Sequence, residues 1–426
     1  MSNALLPLFF ALLVTGMPIF LVLGVTAMLL LWVDGYPLIS FAQKIVDQFN
    51  SDTLMSVPFF IIAATFMQRG GVAKAIVDFA AAWTGGVRGG VGLVCVFACT
   101  IFAAISGSSI ATALAMGGIL VPAMLSRNYP RSFATGVVAV SGTVGILIPP
   151  SLAFILYAVI AEQSVPRLFL AGVVPGLVQA GLFSLYVIWR ARRDNYPFEK
   201  PLSRAEFLRV NLHALPALAV PVLIAVCIYG GVVTVTEAAA LAAIVALFVS
   251  VTVYKGFTWR QSIGLAGDAM RSGASILLIV SMALIFGHWM TETGLPALLV
   301  KLIVVQELAA WQFFLVVSII MLILGMFLEG ASIMLITLPL LLPALGPLAI
   351  DPVHFAVVMV ILIELALVTP PVGLNLFAMT NISKVPITEV IKGVAPFLVL
   401  LIVLLVIVIL VPELSLWLPN SVYGAK

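Results

Sequence analysis

Four short polar interruptions break a very apolar chain, and they carry most of its chemically useful groups. Ser106-Gly107-Ser108-Ser109 offers three hydroxyls and a flexible backbone, with Thr112 one helical turn beyond. Gly330-Ala331-Ser332 follows Glu329 in the second half, with Thr337 further on. Gly142, Thr143 and Gly145 precede Pro149-Pro150 and Ser151. Thr369 precedes Pro370-Pro371, with Gly373 and Asn375 after it. A proline inside a helix removes an N–H and clashes with the turn before it. Each break therefore leaves free carbonyls at one helix end and free N–H groups at the next helix start. Carbonyl and hydroxyl oxygens suit a hard monovalent cation such as Na⁺, whereas helix starts favour a carboxylate. The cation candidates are Ser106, Gly107, Ser108, Gly145, Gly330, Ser332, Thr369 and Gly373, acting largely through backbone carbonyls. The candidates for holding an organic anion are Ser108, Ser109, Thr112, Pro150, Ser332, Pro371 and Asn375.

Glu364 sits within an otherwise apolar run. Placing an acid in a membrane costs at least about 2.5–3.5 kcal/mol, so it needs a role. It either carries a proton or pins a helix by hydrogen bonding, and the sequence leaves both open. Glu237 follows Thr236 and is expected to serve the start of its helix. Trp289 reads as an interfacial anchor, and His288 has no assigned role. Only three histidines occur, with no His-Glu-x-x-His and no nucleophile–base–acid set. Gly85-Gly86-Val87-Arg88-Gly89-Gly90 lacks the Lys-Ser/Thr of a phosphate loop and reads as a close helix contact or hinge. These features argue against an intramembrane enzyme and against ATP hydrolysis. Cys95, Cys99 and Cys227 read as small buried hydrophobes.

What must position these residues follows from composition. The chain has 426 residues, 63% hydrophobic and 9% charged, with a mean hydropathy of +1.26. Average soluble domains carry about 25% charged residues. Many apolar runs reach the roughly 17–25 residues needed to span a bilayer. The class is an all-α polytopic membrane protein; the alternation of a β-barrel is absent. A net charge of +3 says nothing about nucleic acid, since the basic residues sit in short loops where they set orientation, and no nucleic-acid partner is expected. The stretch Leu5 to Trp32 is too long for a signal-peptide core and reads as a retained helix. The remaining runs place helices over 53–68, 71–84, 168–189, 212–232, 237–254, 272–289, 295–306 and 394–411. Interrupted runs cover 89–125, 132–160, 311–346 and 353–381.

The interruptions are duplicated. Ile105-Ser106-Gly107-Ser108-Ser109-Ile110 has a counterpart in Leu328-Glu329-Gly330-Ala331-Ser332-Ile333, and Pro149-Pro150 in Pro370-Pro371. Val165-Pro166 matches Val385-Pro386, and Val174-Pro175 matches Ala395-Pro396. The offsets stay within 220 to 223 positions. Orientation follows the Lys/Arg bias. Segment 190–209 holds six arginines and lysines and is placed in the cytoplasm, where Ser203-Arg204-Ala205-Glu206 should cap a short surface helix. Walking outward puts 16 of the 20 Lys and Arg inside, leaving Lys44, Arg167, Lys301 and Lys426 outside. This works only if both interrupted runs, 89–125 and 311–346, enter and leave on one side, as re-entrant hairpins from opposite faces. The reading is two inverted-topology repeats, each with a re-entrant helical hairpin and a Pro-Pro-broken helix, joined by helix 212–232. The N-terminus is cytoplasmic and the C-terminus external.

At these residues the chain resembles the large membrane subunit of tripartite ATP-independent periplasmic (TRAP) transporters. The resemblance rests on Ala104-Ile105-Ser106-Gly107-Ser108-Ser109-Ile110-Ala111-Thr112 and Gly145-Ile146-Leu147-Ile148-Pro149-Pro150-Ser151. It extends to Thr234-Val235-Thr236-Glu237-Ala238-Ala239, Thr369-Pro370-Pro371-Val372-Gly373-Leu374-Asn375 and the C-terminal Pro412-Glu413-Leu414-Ser415-Leu416-Trp417-Leu418-Pro419. It implies Na⁺-driven uptake, across the bacterial inner membrane, of a carboxylate such as a C4-dicarboxylate or sialic acid. A periplasmic substrate-binding (P) protein would deliver it, and a small membrane (Q) subunit, expected as a separate chain, would stay attached. It also implies an elevator mechanism. Segments 89–160 and 311–381 would be the two halves of the moving transport domain. Scaffold helices and arms would fill 1–88 and 161–310, and a final helix with an external C-terminus 382–426. The second tip is Glu-Gly-Ala-Ser rather than Ser-Gly-Ser-Ser, so it must lean more on backbone carbonyls. The alternative is a standalone carboxylate or ion exchanger of similar architecture, proton-coupled through Glu364.

Overall fold

Backbone with no water to bond to must bond to itself, and this chain does so as helices. The computed structural model describes residues 2–35, 37, 39, 43, 45–46, 51–198, 200–326 and 328–424. Lys44 and Lys426, which entered the reading of orientation, lie outside the described residues. No β-strand occurs among the described residues; one isolated bridge joins Arg88 to Phe198. The helices are α1 (Ser2–Val14), α2 (Ile19–Val33), α3 (Asp52–Arg69), α4 (Val72–Thr84), α5 (Gly90–Ser106), α6 (Ser109–Leu125), α7 (Arg131–Ser141), α8 (Val144–Leu147), α9 (Leu152–Ala161) and α10 (Val165–Arg193). Then come α11 (Arg204–Tyr229), α12 (Val235–Phe248), α13 (Trp259–Glu292), α14 (Leu295–Val305), α15 (Ala310–Gly325), α16 (Gly330–Leu345), α17 (Pro352–Val368), α18 (Leu374–Ser383), α19 (Ile387–Leu410) and α20 (Glu413–Tyr423).

Among the described residues, six segments are long and apolar enough to cross a bilayer: Arg131–Ala161, Val165–Arg193, Arg204–Tyr229, Val235–Val253, Trp259–Glu292 and Ile387–Leu410. By contrast α5 and α6 have 17 residues each. At 1.5 Å per residue, either reaches only roughly 25 Å, short of a hydrocarbon core of about 30 Å. Helix α17 is buried along its whole length, as expected of a helix apolar on every side. Long apolar side chains on α11, α15 and α19 lie exposed, a surface suited to lipid rather than water.

The packing has a reciprocal pattern. α6 packs on α18 and α16 on α9; α2 packs on α13 and α12 on α3. Gly145 packs against Ala103, and at matched positions Gly325 packs against Ala366, with glycine and alanine exchanged.

Several boundaries differ from the sequence reading. The first run is two helices, because Gly16 takes a positive φ and Pro18 opens α2. Ser203 does form its capping box with Glu206, but the helix it opens continues unbroken through the connector. Thr258 caps α13 much earlier than residue 272. The chain beyond 412 folds as α20 against α10. The second tip lies before Gly330 rather than at it: one helix ends at Gly325, Glu329 is the extended N-cap of the next, and Gly330 to Ser332 form its first turn.

Candidate functional site

The first tip is built by two local conformations. Gly107 takes φ 58, a left-handed geometry that ends α5, and Ser108 is extended, which opens α6. The Ser108 side chain accepts the Ala111 N–H at 3.4 Å, the ordinary N-cap bond. Ser106 Oγ and Thr112 Oγ1 lie 2.6 Å apart and tie the two legs together. The tip leans on the first proline break: a Cβ added at Gly107 would sit 2.9 Å from the Pro150 carbonyl oxygen. One added at Gly145 would sit 3.2 Å from Thr112 Oγ1. Ser106, Gly107, Ser108, Thr112, Gly145 and Pro150 therefore form one cluster.

The second break is similar in outline. Thr369 is extended, its hydroxyl donates to the Leu365 carbonyl at 2.6 Å, and Gly373 has φ 50 close against the Thr369 carbonyl. Both Pro149-Pro150 and Pro370-Pro371 are cis. Just beyond, Asn375 crosses to the other half. Its Nδ2 donates to Ser109 Oγ at 2.6 Å and to the Ala139 carbonyl at 3.0 Å. Its Oδ1 is buried without a hydrogen-bond partner, so one polar lobe of the side chain is left for something else.

The two tips meet. A cavity of about 140 Å³ is lined by Gly107, Ser108 and Ser109 from one side and Glu329, Gly330 and Ala331 from the other. Ser332 is buried in α16 and does not line it, and Thr369, Pro371 and Gly373, which flank the second break, do not line it either. Pro371 is exposed. The first-half candidates thus converge closely, and of the second half Gly330 and Asn375 join them.

Glu364 is fully buried (0% exposed) together with Thr143 and Gln179. Gln179 Nε2 donates to Glu364 Oε2 at 2.6 Å and lies 3.1 Å from Thr143 Oγ1. The Thr143 hydroxyl lies 3.3 Å from Glu364 Oε2 and 2.9 Å from the Val140 carbonyl. This partnership serves only one oxygen of the acid: Glu364 Oε1 and Gln179 Oε1 are buried without a hydrogen-bond partner. Gln179 was missed from sequence, although a lone amide in an apolar helix is a usable signal. Also missed were Thr65, Gln68, Arg69 and Ser272, which share a larger cavity with Ser106 and Ser108.

Other residues fall into structural roles. Glu237 caps α12 with Thr234, as expected. Trp289 is not an interfacial anchor: it is 1% exposed and its Nε1 donates to Asp34 Oδ2 at 3.0 Å. His288 lies beside Glu292, with Nδ1 and Oε1 3.9 Å apart. The glycine run makes the close contact expected of it, with Gly89 in a left-handed conformation directly against Ala191. Cys95, Cys99 and Cys227 are buried and unpaired.

An all-helical, multi-pass chain whose helix breaks gather hydroxyls and carbonyls around an inner cavity is a membrane transport protein in its architecture. The family model described as tripartite ATP-independent periplasmic transporter, DctM component, matches residues 6–414, and the chain belongs to that family. It is 40% identical over 430 residues to the C4-dicarboxylate TRAP transporter large permease protein DctM of Rhodobacter capsulatus, covering 97% of each chain. It is 34% identical over 412 residues to the isethionate TRAP transporter permease protein DctMQ of Oleidesulfovibrio alaskensis, covering 96% of this chain and 65% of that one. The fold is similar to the crystal structure of the Alcanivorax borkumensis YdaH transporter, with a TM-score of 0.66, 15% identity and 90% of each chain covered. The family read from the residues is therefore the right one. This is a large permease component of a tripartite transporter that works with partner subunits, and it is not an enzyme.

Proposed function

We propose that this chain couples inward Na⁺ movement to uptake of a small organic anion across the bacterial inner membrane. The observation that carries the proposal is the meeting of both tips around one cavity, with Asn375 of the second half bonded to Ser109 of the first. Oxygen groups at the breaks are the Na⁺ ligands: Ser106, Gly107, Ser108 and Gly145 near the first, Thr369 and Gly373 near the second. Gly330 and Ser332 lie in a helical first turn, where their N–H groups face an anion better than their carbonyls face a cation. The anion is a carboxylate, and a C4-dicarboxylate is the first choice because a relative at 40% identity is named for it.

The reciprocal packing of α6 on α18 and α16 on α9 supports two repeats of opposite orientation. The short hairpin legs support re-entrant loops that do not cross the bilayer. On this reading, residues 89–160 and 311–381 move together as an elevator against the scaffold. The partners are a small membrane subunit and a periplasmic binding protein that delivers the anion. The N-terminus is cytoplasmic and the C-terminus periplasmic.

The test is uptake into liposomes holding the chain with its small subunit. Succinate should accumulate only with an inward Na⁺ gradient and a loaded binding protein. Uptake that needs no binding protein and follows a proton gradient would replace this reading with a standalone exchanger working through Glu364.

A further inference from the structure

We infer that Arg69 makes the cavity beside the first tip a binding vestibule for a small organic anion, placed where the anion leaves or approaches the inner site. The inference rests on the proposed transport of an organic anion and gives it a second stop. The cavity measures about 620 Å³, within the usual range of roughly 300–1,000 Å³ for small-molecule sites. Its polar lining is Thr65, Gln68 and Arg69 from α3, Ser272 from α13, and Ser106 and Ser108 from the tip. Among the described residues, no acidic side chain lines it.

Arg69 is exposed, at the C-terminal end of α3, and has no hydrogen-bond or ion-pair partner among the described residues. A guanidinium holds five donors in a planar fork matched to a carboxylate or sulfonate, and it is always charged. The smaller inner cavity shares Ser108, Ile110, Leu152 and Ile276 with this one, so the two are adjoining. The arrangement is one-sided. Positions matched to Thr65, Gln68 and Arg69 by the offset of 221 are Phe286, Trp289 and Met290, all buried, at 4%, 1% and 5% exposure. One half presents a cation and amide to open space; the other fills the equivalent space with apolar side chains. By the orientation assigned from lysine and arginine, the open side is cytoplasmic, so the vestibule serves release.

The test uses the full chain with its small subunit in liposomes. Cys95, Cys99 and Cys227 are replaced by Ala, and Ser272→Cys is the reporter, with Thr65→Cys as a second. Labelling rates are compared for an anionic methanethiosulfonate (sulfonatoethyl) and a cationic one (trimethylammonioethyl). A unit charge several ångströms from the thiol should favour the anion, so Arg69→Gln should lower the anionic-to-cationic ratio about fivefold. Arg69→Lys should keep it within about twofold, since the charge remains. An unchanged ratio in Arg69→Gln, or no labelling at either reporter, overturns the vestibule. Succinate with Na⁺ should protect the reporter, and Arg69→Gln should need about tenfold more succinate for the same protection. Protection that is present and equal in both also overturns it. A fallen ratio without protection by succinate upholds the vestibule and defeats the C4-dicarboxylate reading instead.

Discussion

Thr143 and Glu364 face each other across a buried 3.3 Å contact, and they are 221 positions apart, the same offset that separates Pro149 from Pro370. On the inverted-repeat reading, this has a geometric meaning. A twofold operation carries a residue onto its counterpart, so the two can touch only beside the axis. The contact therefore marks where the axis passes, between α8 and α17. Gln179 of α10 joins them by donating to Glu364. The Thr143 hydroxyl has one proton to divide between Val140 and Glu364, so Gln179 is the firmer donor.

The expected ranking follows. Gln179→Leu should destabilise the protein by about 2–3 kcal/mol, because it strands a buried acceptor; Thr143→Val should cost about 1 kcal/mol. Thermal unfolding of purified protein measures both, and a reversed ranking would refute the assignment. If Glu364 pins α17 rather than carrying a proton, Glu364→Gln should keep its Na⁺ dependence and its pH profile. Loss of the pH dependence alone would hand the residue to proton coupling.

Asn375→Ala should separate the two halves of the site. It removes donors to Ser109 and Ala139, and the Ala139 carbonyl is left without one of them in a dry place. A loss of about 1–3 kcal/mol in stability is expected. Half-saturation for the transported anion should rise more than tenfold, because Ser109 loses the partner that orients it. Wild-type affinity in a correctly folded Asn375→Ala protein would remove Asn375 from the site.

The glycines give a graded test. Gly107→Ala meets both a left-handed φ of 58 and the Pro150 carbonyl, and should cost at least about 1–2 kcal/mol and disturb Na⁺ dependence. Gly330→Ala meets the Ile363 side chain and should cost less if that side chain turns aside. Gly118→Ala has room, 3.4 Å from Ile382 Cδ1, and should be neutral or slightly stabilising in mid-helix. Thermal unfolding of the three in parallel checks the order; a neutral Gly107→Ala would contradict the described tip.

Much of this was legible in the chain. Polar breaks at 106–109 and 149–150 are local chemistry, since glycine, serine and proline act within a turn of where they stand. The Ser203 cap and the helix-start role of Glu237 were legible for the same reason, although the cap itself is Thr234 and the helix begins at Val235 rather than 237. The second tip was misplaced because Gly330 suggests a loop, whereas the helix accepts glycine in its first turn and is capped by Glu329. Trp289 was misread because its bond to Asp34 spans 255 positions, and no local pattern encodes that. Arg69 and Gln68 carry no local signal beyond a polar helix end; only the placement of α13 and the tip around them makes a cavity.

Ser108 and Thr369 should separate sodium binding from expression. The Ser108 side chain caps α6 through a 3.4 Å bond and borders both cavities. The Thr369 hydroxyl is committed as a donor to Leu365 and keeps its lone pairs free. Ser108→Ala and Thr369→Ala should each raise the Na⁺ concentration for half-maximal uptake by roughly three- to tenfold, the loss of about one hydrogen-bond-sized interaction. Unchanged sodium titrations in both would withdraw these residues from the cation sites.

Arg167 offers a last test, remote from the tips. It is 4% exposed near the start of α10, where a charge needs partners. Its guanidinium donates to the Gly424 carbonyl at 3.1 Å and to the Asn420 side chain, so it holds α20 down by its final turn. Neither partner is charged, which makes this a hydrogen-bonded clasp rather than an ion pair. Arg167→Leu should release α20 at a cost of about 1–3 kcal/mol, read as faster proteolysis after residue 411. Arg167→Lys should hold less well than Arg, since one ammonium cannot span both partners with the fork of a guanidinium. Equal protease resistance in all three proteins would mean that α20 is held by its apolar contacts with α10 alone.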